Sequence, residues 1–325
     1  FGENEIEILF AANYGAHTFS LLASPNVSRL TKYKTNYRDD YSDGMFQVDQ
    51  NSNKVFSITK TSDPIKVFER GNAESFSDLI TNIKDIKFFD YNPNSKLLAT
   101  IASNGLRIID TEKRTEVFSK IIGKDLPFID RALDMAPNSN AILYATDEVG
   151  AAKDVRDRLQ YFDFASGQEK WAKNGRYSAL YHIKNGQQIL VANNTSGNME
   201  ILDPETGNVL RSFPLNFNGS VLESALAPDE KHIIFSGYNT DVFVFEIASG
   251  RLVNSFTNKD FQYSPGTFVS NTVVSVSESG AIKFYDILTS KEVLRMYLFQ
   301  DGGWITYTPE GYFEGSPSAW DKVAF

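Results

Sequence analysis

The amino-acid sequence predicts an all-β chain folded as a seven-bladed β-propeller of four-stranded antiparallel blades. Three observations carry this reading. A strand ending on an acid, a short polar turn and a second strand recur six times. Aligned on the acid (Glu69, Asp110, Asp163, Asp203, Glu246, Asp286), the steps are 41, 53, 40, 43 and 40 residues, and a four-stranded propeller blade repeats at roughly 40–45 residues. Finally, each end of the chain offers half a unit.

Each unit shows the same order of parts. A first strand meets a tight turn (NPNSK at 92–96, APNSN at 136–140, KNGQ at 184–187, APDEK at 227–231). A second strand follows as LLATIA, AILYAT, QILVAN or HIIFSG, rich in β-branched and aromatic residues. A polar turn such as TSGN or ESGA leads to the third strand, which carries the acid at its end. TEKR, ASGQ, PETG, ASGR or LTSK then turns the chain into the fourth. Gly167, Gly207 and Gly250 fall where this turn needs a positive φ. No helical period of 3.6 runs long enough to compete.

The expected blades are 31–76, 77–118, 119–171, 172–213, 214–256 and 257–297. A composite seventh joins 1–30 to 298–325 and closes the ring, since WITYTPEGYFEGS reads as strand, turn, strand without a second half. Closure removes free sheet edges. A 40-residue unit cannot bury its own apolar face and stacks on its neighbours, so the 325 residues form a single domain. The chain begins at Phe1 without Met and stops after KVAF, which reads as a fragment of a longer protein.

Composition narrows function by exclusion. A net charge of −9 without a basic stripe argues against nucleic acid and against anionic membrane surfaces. No apolar run approaches the roughly 20 residues of a membrane span. With no cysteine, thiolate chemistry is excluded, and either a reducing or an oxidising compartment is compatible. His17, His182 and His232 fall in separate units without metal-ligand spacing, and read as structural. Asp39, Asp43 and Gly44 suggest a calcium loop, but Tyr41 and Gln50 occupy two of its ligand positions. The strand-end acids recur in every unit, which favours carboxylates accepting backbone N–H bonds over catalytic groups. Trp171 ends only one of six units and reads as core. No cofactor or metal site is expected, and the chain reads as non-enzymatic.

The turn–strand–acid–turn pattern resembles the WD-repeat propellers in divergent form. Phe68–Glu69, Ile109–Asp110, Phe162–Asp163, Leu202–Asp203, Phe245–Glu246 and Tyr285–Asp286 stand at that family's Trp–Asp position. No His follows a Gly, and Trp320–Asp321 lies outside the repeat position, so the family's stabilising side-chain network does not carry over. The tail DGGWITYTPEGYFEGSPSAWDK at 301–322 resembles the closing motif of bacterial WD-repeat-like proteins. Among such proteins, the resemblance implies, are tandem propellers and propellers beside a caspase-like peptidase.

Protein-binding residues are expected where the period fails and on the loops entering each first strand. Aromatic residues and Arg are the usual interface anchors. The candidates are Phe128, Arg131, Tyr177, Phe217, Phe261 and Tyr263 on the inter-blade loops, Tyr33 and Tyr37 in the charged segment 31–44, and Arg156 and Arg158 in the long turn 147–158. The same rings could instead pack beneath their own loops. The preferred reading is an interaction scaffold whose partner is another protein or an adjacent domain of its own chain. One alternative is a regulatory or substrate-gating propeller attached to a catalytic domain, or one propeller of a tandem array. Another is a quinoprotein-like small-molecule enzyme, which predicts eight blades.

Overall fold

A computed structural model gives the structure of the chain. It describes residues 12–14, 17–19, 35–36, 45–49, 54–58, 64–69, 72–80, 83, 85–102, 105–122, 133–147, 157–216, 221–237, 241–256, 267–278, 281–299 and 303–322. All sheet pairings among them are antiparallel, and the six sheets of four or more strands are the blades of an all-β propeller.

A three-stranded sheet of β1 (Ala12–Tyr14), β2 (His17–Phe19) and β3 (Thr35–Asn36) comes first. The first blade is β4 (Met45–Asp49), β5 (Lys54–Ile58), β6 (Lys66–Glu69) and β7 (Asn72–Asp78). The second is β8 (Ile86–Asn92), β9 (Leu97–Ala102), β10 (Gly105–Asp110) and β11 (Thr115–Lys120). The third is β12 (Leu133–Met135), β13 (Ala141–Asp147), β14 (Asp157–Asp163) and β15 (Gln168–Asn174). These sheets form one compact unit, which also takes in the turn Pro204–Gly207.

A second compact unit holds the rest. Its first blade is β16 (Tyr177–Ile183), β17 (Gln188–Asn193), β18 (Asn198–Leu202) and β19 (Val209–Pro214). Next come β20 (Val221–Leu226), β21 (His232–Gly237), β22 (Val242–Glu246) and β23 (Leu252–Phe256). The last sheet has six strands in sequence order: β24 (Thr267–Phe268), β25 (Val273–Glu278), β26 (Ala281–Asp286), β27 (Glu292–Leu298), β28 (Trp304–Tyr307) and β29 (Phe313–Gly315). A 3-10 turn, Pro317–Lys322, follows.

Among the described residues there are therefore six blades, not the expected seven. The expectation failed at the composite blade. Strand β28 does not join the N-terminal strands; it pairs with the outer edge of β27, from Arg295↔Tyr307 to Leu298↔Trp304. An outer edge presents unpaired backbone groups, and a covalently attached strand nearby satisfies them at little entropic cost. Side chains hold this pairing. Arg295 forks onto Glu292 with two bonds of 2.7 Å and lies over the Tyr307 ring, which stacks on Tyr297 at 6.1 Å.

Within each unit the first strands run beside one another, β4 by β8 by β12 and β16 by β20 by β24. Middle strands are buried on both faces, which explains their near-continuous apolar runs. On β9, Leu98 and Ala102 pack with Phe56, Ile58 and Tyr91, while Ala99 and Ile101 pack with Leu133, Met135 and Phe162. In the second unit Tyr181, Leu190, Met199 and Ile201 meet Ile233, Phe235 and Phe245. Ile234 and Val244 face Val274 and Ile287. The fourth strand β11 shows half-buried alternation.

The recurrent acids fold the third-to-fourth-strand turn. Asp110 accepts the N–H groups of Glu112 and Lys113, Asp163 that of Ser166, and Asp286 those of Leu288 and Thr289, all within 2.7–3.1 Å. Four residues after five of the six acids the backbone turns left-handed: Arg114 (φ 56), Gly167 (72), Gly207 (70), Gly250 (69) and Ser290 (60). The register then shifts at the same place in those five blades, opposite Ile108 and Ile109, Ile201 and Leu202, and Phe284 and Tyr285, for example, and one residue later, opposite Phe68 and Glu69, in the first. A bulge raises local twist and re-aims the next side chain. Phe213 is aimed so that a Cβ on Gly250 would overlap its ring, while Arg211 donates to Ala248 O at 2.8 Å. Asn254 reaches Ile287 O at 3.1 Å and the Ser290 hydroxyl. In the first unit, Trp171 lies against Gly207 and donates from Nε1 to Pro204 O at 2.8 Å.

Two outcomes are expected. Gly167 has open space around it, whereas Gly250 lies under Phe213. Gly167→Ala then costs only the left-handed penalty of about 1–2 kcal/mol. Gly250→Ala adds a displaced ring, about 1–3 kcal/mol more. Urea unfolding of both variants measures the difference.

The second outcome concerns pH. Hydrogen bonds hold Asp110 (first from the Lys113 N–H), Asp163 (first from the Ser166 N–H) and Glu246 (first from the Ser249 hydroxyl) below their ordinary 3.8, 3.8 and 4.5. Burial pushes Asp286 up, but the Thr289 N–H and hydroxyl outweigh it. Depressed carboxylates stabilise the fold above their unfolded pKa, and that contribution is lost as pH falls through the folded value. Melting temperature should fall between about pH 5 and about pH 2, and Asp110→Asn should flatten that fall.

Candidate interaction surface

Two of the ten sequence-predicted binding residues, Tyr177 and Arg158, lie in the described structure, one in each compact unit. Phe128, Arg131, Phe217, Phe261, Tyr263, Tyr33, Tyr37 and Arg156 lie outside the described residues. Arg158, on β14, pairs with Glu169 of β15 at 2.9 Å across the strands.

Tyr177 opens β16, and its ring is buried. Its hydroxyl accepts from Asn193 Nδ2 at 3.3 Å, and the same amide donates to Glu200 Oε1 at 2.9 Å. Burial first, then the Glu200 charge, pushes the phenol up to about 12. Tyr177 therefore keeps its proton at physiological pH. The neighbouring turn is tightly held. Asn193 Oδ1 accepts from the N–H groups of Thr195 and Ser196 at 3.0 and 3.1 Å. Asn194 donates to Ser178 Oγ at 3.0 Å and accepts from Val221 N–H at 2.9 Å, tying β16 to β20. Sequence reasoning missed this network. A signal for it was present in the paired Asn193–Asn194 at a polar turn, since Asn at a turn commonly bonds its own backbone.

Among the described residues, the most exposed aromatic side chains lie elsewhere in the second unit. Tyr312, Phe313 and Trp320 are 76%, 50% and 40% exposed, and Phe313 meets Trp320 edge-on at 5.6 Å. Their support is ordered. Thr308 N–H donates to Tyr312 O at 2.8 Å, and Gly311 closes the turn at φ 95. Glu310 sits in that turn with its carboxyl held low, first by its own N–H and then by the Thr308 hydroxyl. Ser316 accepts from Trp304 N–H through its hydroxyl and donates its own N–H to Trp304 O, both at 2.9 Å. Ala319 is fully buried and anchors the 3-10 turn beneath Trp320. This motif was legible as strand, turn and strand, but β28 and β29 as an outer extension were not, because edge pairing depends on which neighbour is free.

Among the described residues no three His, Asp or Glu side chains converge as a metal site. No helix there is long and apolar enough to cross a membrane.

No protein-family model matches the chain. Among solved structures it is similar to the crystal structure of the computationally designed Ika8 protein, at 15% identity and a TM-score of 0.54. The match covers 81% of this chain and 82% of that one, and the likeness is one of fold.

Proposed function

We propose that the chain is a non-enzymatic protein–protein interaction scaffold, a rigid set of blades that presents side chains to another protein or to an adjacent domain. The observation that carries this reading is the exposed Phe313–Trp320 pair, with exposed Tyr312 next to it in sequence, at a hydrogen-bonded outer sheet edge. Aromatic rings lose little conformational entropy on binding and dominate interface hot spots. Held by the Thr308–Tyr312 turn and the Ser316–Trp304 bonds, these rings are pre-organised. Phe217, Phe261 and Tyr263, anchors expected from the sequence and outside the described residues, are the second candidate set of the proposal.

The test is quantitative pull-down from the source cells with the wild type, Tyr312→Ala/Trp320→Ala, and Phe217→Ala/Phe261→Ala/Tyr263→Ala. Loss of hot-spot rings is expected to weaken partner recovery by at least about tenfold in one variant set, as about 2 kcal/mol per ring implies, with melting temperature kept within a few degrees. A recovered set unchanged by both variants contradicts the reading.

A further inference from the structure

Strand β28 is held to β27 by a pair of phenols as well as by backbone bonds. The register sets Tyr297 opposite Ile305 and Arg295 opposite Tyr307, so Tyr297 and Tyr307 are diagonal neighbours on one face of the pair. Their half-buried rings stack with centres 6.1 Å apart and 18° between their planes. The two phenols also share a hydrogen bond, which Tyr307 donates and Tyr297 accepts.

Bonded oxygens bring together the ortho carbons that flank them. When a phenol loses an electron and its proton, those carbons share the unpaired electron, and they are where two such radicals join. Other tyrosines meet groups that offer no second phenol. Tyr91 meets Phe56, Tyr161 stacks on Trp171 and Tyr285 stacks on Phe256. The two phenols of the pair are also unequal. The bond from Tyr307 first, and then Arg295 and Lys283, hold the Tyr297 phenol below its ordinary 10.0 against the opposing effect of burial. Burial first, and then the bond it gives to Tyr297, push the Tyr307 phenol up. Tyr297 is therefore the ring that releases its proton more readily, a release that oxidation of any phenol requires.

We propose that Tyr297 and Tyr307 form an oxidative modification site, at which a peroxide-dependent one-electron oxidant joins the two rings as a dityrosine and locks β28 to β27. Each ring gives up one electron and its phenolic proton. The ortho carbons of the two phenoxyl radicals then form one C–C bond. A proton leaves each of these carbons and each oxygen takes one up, which restores both aromatic rings. The two electrons and two protons released reduce one hydrogen peroxide to two waters, so the chain loses two hydrogens. The link closes the segment 297–307 and removes its open conformations, holding the extension that carries Phe313 and Trp320 against the blade. This chemistry is independent of the scaffold reading.

The test exposes the whole chain, in dilute solution, to a haem peroxidase and hydrogen peroxide. Digestion at aspartate then cuts at Asp301, between the two tyrosines. Mass spectrometry is expected to find the peptides bearing Tyr297 and Tyr307 joined, two hydrogens lighter than their sum. Amide exchange at 304–307 is expected to slow at least about tenfold in the linked protein. Tyr312→Phe removes the other tyrosine of the second peptide and is expected to leave the link intact. Tyr297→Phe or Tyr307→Phe keeps a ring in place and is expected to abolish it. Should either Phe variant not fold, the fragment spectrum of the joined wild-type peptides decides. Joining at Tyr312 instead of Tyr307, a link that persists in a folded Tyr297→Phe or Tyr307→Phe variant, or no joined pair at any peroxide dose that leaves the chain folded overturns the inference. So does unchanged exchange at 304–307 in linked protein.

Discussion

One contact recurs in both compact units: a fourth-strand side chain lies against a left-handed turn, as Trp171 does on Gly207, Phe213 on Gly250 and Asn254 on Ser290. Its parts depend on each other. The acid gathers the turn's N–H groups, the residue four places later takes positive φ, and the bulge re-aims the fourth strand. Phe213 on Gly250 and Asn254 on Ser290 are its outcomes in the second unit, and Trp171 on Gly207 in the first. A repeat of about 40 residues has too little apolar surface to close alone, and these contacts add to the lateral packing of the middle strands.

Much of this was readable in the amino-acid order. Asp110, Asp163 and Asp286 stood where a turn needed an acceptor, and they accept backbone N–H groups. Gly167, Gly207 and Gly250 stood where positive φ was required, and they have it. The same position holds Arg114 and Ser290, with no glycine to announce the turn. The bulge left no signature, because an extra residue in a fourth strand looks like ordinary alternation with one defect. Trp171 read as core; it is a half-buried clamp whose Nε1 proton has a specific acceptor in Pro204 O.

The blade count failed for a related reason. Trp304–Gly315 copies the first two strands of a unit, with a turn closed like Ala136–Ala141 and Ala227–His232. Local pattern specifies a strand, but pairing is decided by which edge offers groups to pair with. Strand β27 offered that edge, with Arg295, Tyr297 and Tyr307 to lock the addition. The binding residues were harder still to read. Tyr177 satisfies the rule that interfaces favour tyrosine, yet it lies buried against Asn193 and Glu200. Aromatic type alone does not tell a ring under its loop from a ring above it, whereas Tyr312 and Trp320, flanking the edge strand β29, are distinguished by exposure.

The most direct test of the turn contact is hydrogen exchange in a Phe213→Ala variant. The account predicts faster exchange at the turn 246–251 and along β22 and β23, in the sheet next to the one mutated. Acceleration confined to β19, with 246–251 unchanged, would contradict it.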